Sequence, residues 1–129
     1  MTHRQEDRMS TGMIRSTIRM LIPLNKQSEA LEILEMVKVR TQFEPGCIST
    51  RLYLGVDEAR AIMIEELWTS EEDILHHLQS EAYHRVLLVV EMAEERPEIR
   101  FDTIRHSSGV ETIEKARSRP SNQRDRPNT

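Results

Sequence analysis

CISTRLYLGVDEARAIMIEELW, Cys47–Trp68, is the stretch on which the fold turns. It reads as two strands around a polar turn. In the first, Ile48, Thr50, Leu52 and Leu54 share one face; in the second, Ile62, Ile64, Glu66 and Trp68 oppose Ala61, Met63, Glu65 and Leu67. Side chains alternate across a pleated strand, so a period of two marks each segment as half-buried β-structure. Gly55–Arg60 between them is short and polar enough to close a hairpin.

On both sides of this hairpin the period changes. Upstream, Ala30, Ile33, Leu34, Val37 and Thr41 recur at helical spacing, with Glu29, Glu32, Glu35 and Lys38 mostly off the stripe. This predicts an amphipathic helix of about four turns, with Asn25 as its N-cap and Pro45-Gly46 as its stop. Downstream, Ser70 caps a second helix, with Asp73 completing an imperfect capping box and Glu71 and Glu72 at the positive end of the helix dipole. That signal runs to about Arg96, with a candidate break near Ser80, and Ile74, Leu78, Val86, Val90 and Ala93 are its core positions. Pro97 ends it.

Two further alternating segments flank the whole. Ile14, Ser16, Ile18, Met20 and Ile22 share a face before Pro23, and Ile99, Phe101 and Thr103 share one after Pro97. The order is β-α-β-β-α-β, the ferredoxin-like arrangement of an antiparallel four-stranded sheet in an α+β domain, expected over residues 13–106. Two helices cover one face of such a sheet. The other face carries Leu21, Tyr53, Met63, Leu67 and Ile104 among charged and polar residues, too apolar to stand wholly in water. A self-complementary contact with a second copy is expected to bury it.

Outside the domain, Met1–Gly12 and Ser118–Thr129 lack apolar periodicity and read as disordered tails, while Val110–Arg117 could form a short amphipathic helix that packs Val110 and Ile113. A net charge of −4 argues against a general nucleic-acid partner, and no apolar run suits a membrane span. One cysteine, Cys47, excludes an internal disulfide, and five scattered histidines do not compose a zinc cage. With no apolar leader at the N-terminus, a cytoplasmic location is expected. Cys47 reads as a small packing residue, since nothing near it in sequence would lower its pKa.

The segments FEPGCISTRLYLGVD (Phe43–Asp57), IMIEELWTSEEDILHHLQSEAYHRV (Ile62–Val86) and EIRFDTI (Glu98–Ile104) together resemble the antibiotic biosynthesis monooxygenase family of dimeric α+β barrels. The likeness spans about Met13 to Ile104. It rests on Glu44-Pro45-Gly46 after the first helix, Glu66 and Trp68 closing the third strand, and His77 followed six residues on by Tyr83. It implies a homodimer with one pocket per subunit between sheet and helices. It also implies cofactor-independent oxygenation of quinols or aromatic polyketide-like molecules, with no metal or flavin. In that chemistry the deprotonated substrate itself gives an electron to dioxygen. Two other readings remain open: a non-catalytic dimer that binds a small hydrophobic ligand, and a haem-degrading monooxygenase.

The candidate site residues are His77, Trp68 and Glu66. Glu66 and Trp68 are two apart on one strand and point the same way. Glu66 either raises or shares a proton beside a phenol with Trp68 as an apolar wall, or it takes a salt bridge while Trp68 is core. His77 could accept a phenolic proton near neutrality, ligate a haem iron as in haem-degrading relatives, or bond to backbone or Glu66. His76 lies about 100° round the helix and cannot share the site squarely; His84 reads as surface. Two departures separate the chain from relatives of assigned chemistry. The first strand, IRSTIRMLI, has no asparagine of the haem-degrading kind, and Ile64 stands four positions before Trp68, where the antibiotic-tailoring members carry an asparagine.

Overall fold

A computed structural model describes residues 12–118. The expectations of disordered tails fall almost wholly on residues outside that range. The elements run β1 (Met13–Leu21), α1 (Leu24–Thr41), β2 (Cys47–Leu54), β3 (Ala61–Trp68), α2 (Glu71–Leu78), α3 (Glu81–Val90), β4 (Glu98–Ile104) and α4 (Val110–Arg117). All strand pairs are antiparallel in the order β2-β3-β1-β4. This is the α+β, ferredoxin-like fold.

Strict alternation in β1 and β3 puts Ile14, Ser16, Ile18 and Met20, with Ile62, Ile64, Glu66 and Trp68, under the helices. α1 and α3 lie across the β3–β1 centre, burying Ala30, Leu34 and Val37 against Val86, Val89 and the isoleucines. Burying each such side chain is worth about 1.5–3 kcal/mol, which is why this end is the stable centre. α2 covers the other end, over Ile14 and Trp68.

Several local readings are corrected. α1 begins at Leu24 behind Pro23, so Asn25 lies inside the first turn and no side chain caps the helix. The second helical signal is two helices, with the expected break at Ser80 borne out. Ser80 caps α3 by accepting from the Tyr83 amide, as Ser70 caps α2 by accepting from that of Asp73. α3 also ends at Val90 rather than near Arg96. The Met92 and Ala93 amides tighten to residues three back, and the Glu94 amide is taken by the carbonyl of Leu21 at the end of β1. A tertiary hydrogen bond there replaces the next helical one.

In β2 the pairing skips Ile48: Cys47 stands opposite Trp68 and Ser49 opposite Leu67. A bulge of this kind returns the strand to the other face. Cys47 therefore points under α2, and Ile48, expected on that face, is exposed. β4 pairs with β1, but no helix crosses it, leaving the helix-side residues Ile99 and Phe101 42% and 48% exposed. Among the described residues nothing covers Val110 and Ile113 of α4, which are 64% and 58% exposed. No helix among the described residues is long and apolar enough to cross a membrane.

Candidate functional site

Direct pairing lines up side chains across the helix-side face in two rows at one end of the sheet. One runs Cys47, Trp68, Ile14, Thr103; the next runs Thr50, Glu66, Ser16, Phe101. The β2–β3 half of these rows holds a buried polar cluster. The β4 half opens as a cleft.

The cluster is assembled by a turn. Glu44, Pro45, Gly46 and Cys47 form a β-turn closed by the Cys47 amide on the Glu44 carbonyl at 3.1 Å, with Gly46 at φ 85°. Proline then glycine at the two central positions, the second with positive φ, is the type II pattern. The turn is docked on the start of α2. The Thr69 amide donates to the Gly46 carbonyl at 2.9 Å, and a Cβ on Gly46 would run into the Asp73 side chain. Asp73 is itself fixed by the hydroxyls of Thr69 and Ser70. Four residues along the helix from Asp73, on the same side, is His77. The turn that seats Gly46 on Asp73 thus carries Glu44 over His77.

His77 is 0% exposed. Its Nδ1 lies 2.8 Å from Glu44 Oε1, and its Nε2 lies 3.3 Å from Glu66 Oε1, close enough to pair charges but not aligned as a hydrogen bond. Glu66, 4% exposed, accepts from the Trp68 indole N–H at 3.2 Å and has a long 3.5 Å contact from the Thr50 hydroxyl. The Trp68 and His77 rings stack obliquely with centroids 4.6 Å apart, and Tyr83 stands edge-on to His77 at 5.5 Å. All three sequence-predicted residues therefore meet. His76 and His84 are exposed and take no part.

Burial pulls the His77 imidazolium downward, but the facing carboxylates of Glu66 and Glu44 outweigh it and raise its pKa above the ordinary value of 6.5. Burial and Glu66 hold the Tyr83 phenol up. Burial, then Glu66 and Glu44, push the Cys47 thiol up to about 11, which suits a packing residue and not a nucleophile.

The cleft, about 450 Å³, is lined by Ile14, Ile74, Leu75, Leu78 and Phe101, with Thr103 and Glu71 as its polar groups. Its size falls in the range of small-molecule sites. Of the two sequence readings of Trp68, wall or core, the structure has core: it is 0% exposed and does not line the cleft. Ile14 and Ile74 line the cleft and also pack on Trp68, so the cluster sits one side chain behind it. With both ring nitrogens facing carboxylates and no exposed surface, His77 has no nitrogen directed at a haem iron, so the residues do not fit that group.

Sequence reasoning missed Glu44 as the partner of His77, holding it only as part of the family motif, and it expected a pocket between sheet and helices without naming the residues that line it. The Pro-Gly pair did signal a stop after α1, but the docking of the turn on α2 carries no local signature.

The sequence pattern of antibiotic biosynthesis monooxygenases matches residues 13–87, more than half of the 129-residue chain. The chain belongs to that family. Among solved structures it is similar to a conserved protein from Methanosarcina mazei Go1, at 21% identity and TM-score 0.67 over 72% of this chain and 93% of that one. It is similar also to Rv0793 from Mycobacterium tuberculosis, at 18% identity and TM-score 0.68 over 75% and 99%. A third, from Shewanella oneidensis, the protein SO0527, gives 18% and 0.67 over 74% and 94%. At these identities the likeness bears on the fold alone. No functionally curated protein matches the chain.

Proposed function

We propose that this family member is a cofactor-independent monooxygenase for a small quinol-like or aromatic molecule seated in the cleft beside Phe101. One observation carries the reading: an apolar cleft of about 450 Å³ shares its two sheet rows with a buried acid–base cluster. Phe101 and Glu66 are two strands apart, roughly 10 Å between backbones, with the small Ser16 between them. A phenolic proton taken by Glu66 leaves an electron-rich anion against the apolar lining of the cleft. That anion reduces dioxygen and joins it at a substrate CH₂ as a peroxide. The O–O bond then breaks, one oxygen staying as a new carbonyl and the other leaving as water with the two CH₂ hydrogens, and Glu66 returns its proton to the product phenolate. His77 holds Glu66 in place and shares its proton; Trp68 orients the same carboxylate through its indole N–H. Access requires the Ile14 or Ile74 side chain to rotate away from the rim.

That requirement is what favours the second reading, a binding protein for a small hydrophobic ligand, in which the cluster is purely structural. Oxygen uptake with a panel of quinols and anthrone-like compounds separates the two, with Glu66→Gln and His77→Gln run alongside. We expect uptake in the parent and a loss of about 10²-fold or more in each variant, the usual contribution of a positioned acid–base group. Ligand-dependent quenching of Trp68, the one tryptophan, without uptake would favour the binding reading; uptake unchanged in both variants would remove the cluster from the chemistry.

The uncovered sheet face supports a homodimer as the working assembly. Leu21, Tyr53, Met63, Leu67 and Ile104 lie there among Arg15–Glu65, Arg19–Glu98 and Arg100–Asp102 ion pairs. Light scattering should give twice the chain mass, falling to one chain mass in Met63→Glu.

A further inference from the structure

We propose that Glu44 is the solvent-side end of a proton path running through His77 to the buried carboxylate of Glu66. The inference rests on and deepens the proposed function: the chemistry is proton-neutral overall, and the path serves to set the protonation of the buried Glu66 carboxylate against water before each substrate arrives.

The geometry has the order a path needs. The Glu44 side chain is 21% exposed, His77 is 0% and Glu66 is 5%, so only the first carboxylate reaches water readily. The two carboxylates address opposite ring nitrogens: Glu44 is hydrogen-bonded to Nδ1 at 2.8 Å, and Glu66 stands 3.3 Å from Nε2, a contact that a small turn of the carboxylate would bring into line for transfer. Imidazole is the side chain able to take a proton at one nitrogen and release another from the second. One proton enters at Nε2 and one leaves at Nδ1, with no net change in the charge of the ring.

A neutral imidazole has one N–H, so with two carboxylates against it one of them always faces a lone pair. The imidazolium between two carboxylates and a neutral ring beside one protonated carboxyl both resolve this, and they are the states between which such a transfer passes. The other groups near His77 offer no competing exit. Cys47 of β2 and Tyr83 of α3 both keep their protons more firmly than usual. Asp73, one turn earlier on α2, is engaged by the hydroxyls of Thr69 and Ser70, and His76 faces outward. Glu44 acts through His77, and it is therefore a positioning and relay residue, not a catalytic one.

The test reads the path directly, on the full-length chain without substrate. Exchange of the His77 imidazole protons with water and the titration of the ring are measured by NMR in the parent, Glu44→Gln, Glu44→Asp and Glu72→Gln. Glu44→Gln is expected to slow exchange by at least about tenfold, the low end of what a positioned proton acceptor contributes, and to lower the His77 pKa. Glu44→Asp, which keeps a carboxylate, should recover most of the rate, and the exposed control Glu72→Gln should leave it unchanged. Exchange as fast in Glu44→Gln as in the parent overturns the proposal, even if the titration moves, because Glu44 would then be only a nearby charge. Should Glu44→Gln fail to fold, an Asp variant exchanging no faster than a folded Glu44→Ala would overturn it equally. Because no turnover is involved, absence of oxygen uptake would remove the proposed function and leave this result standing.

Discussion

The two ends of the helix-side face are equally buried and chemically opposite. At one end Ile62, Ile64, Ile18 and Met20 meet Ala30, Leu34, Val86 and Val89 in a hydrocarbon contact. At the other, two sheet rows away, the same alternation delivers Glu66 and Trp68 beneath His77 and Glu44. The dry end gains stability from every buried methylene. The polar end burdens the fold with charge that only mutual pairing makes tolerable. Buried polarity of this kind, beside an open cleft, is where chemistry is expected.

Variants at the two ends should separate these roles. The largest effect is expected at the dry end: Ile62→Ala should cost about 2–5 kcal/mol, read as a lower urea midpoint at unchanged slope. Glu66→Gln should cost less, about 1–3 kcal/mol, through weakened charged contacts to Trp68 and His77. Ile62 and Glu66 are four residues apart on β3, roughly 13 Å, and so the double variant should be additive to within about 0.5 kcal/mol. Strong coupling between them would mean that the two ends are one unit.

Smaller changes probe how the polar end is held. Gly46→Ala forces a side chain into the left-handed region, at about 1–2 kcal/mol, and presses on Asp73. It should also disturb the His77 titration, which an equally destabilising change at the dry end should not. Ser80→Ala removes the α3 cap for about 1 kcal/mol. The smallest effect is in pH dependence. The His77 pKa is raised on folding, so its stabilisation is complete below the unfolded value, near 6.5, and is lost as pH rises through the higher folded value. Urea midpoints compared below and above neutrality should therefore converge between the parent and His77→Gln as pH increases.

Much of this was legible before any coordinates. Period two and period 3.6 are local properties, so β1, β3, the hairpin and the buried stripe Ala30, Leu34, Val37 could be read residue by residue. Glu66 and Trp68 on one strand face were equally legible, since i and i+2 must point together. The Ile48 bulge was not, because pairing register depends on a partner strand and on where the preceding turn docks. Nor was the end of α3 at Val90: helical propensity continues past it, and it is the Leu21 carbonyl, far away in sequence, that claims the Glu94 amide.

The amino-acid order by itself determined most of the elements, the helix-side face and the sharing of that face by Glu66 and Trp68, because each follows from spacing along a single strand or helix; His77 was grouped with them through the family resemblance. Tertiary structure alone decided that Glu44 reaches over His77, that Ile14 and Ile74 separate the cluster from the cleft, and that β4 is left uncovered. Those are distances between segments that are remote in sequence, set by how a turn, a helix end and a strand edge pack. No local pattern encodes them.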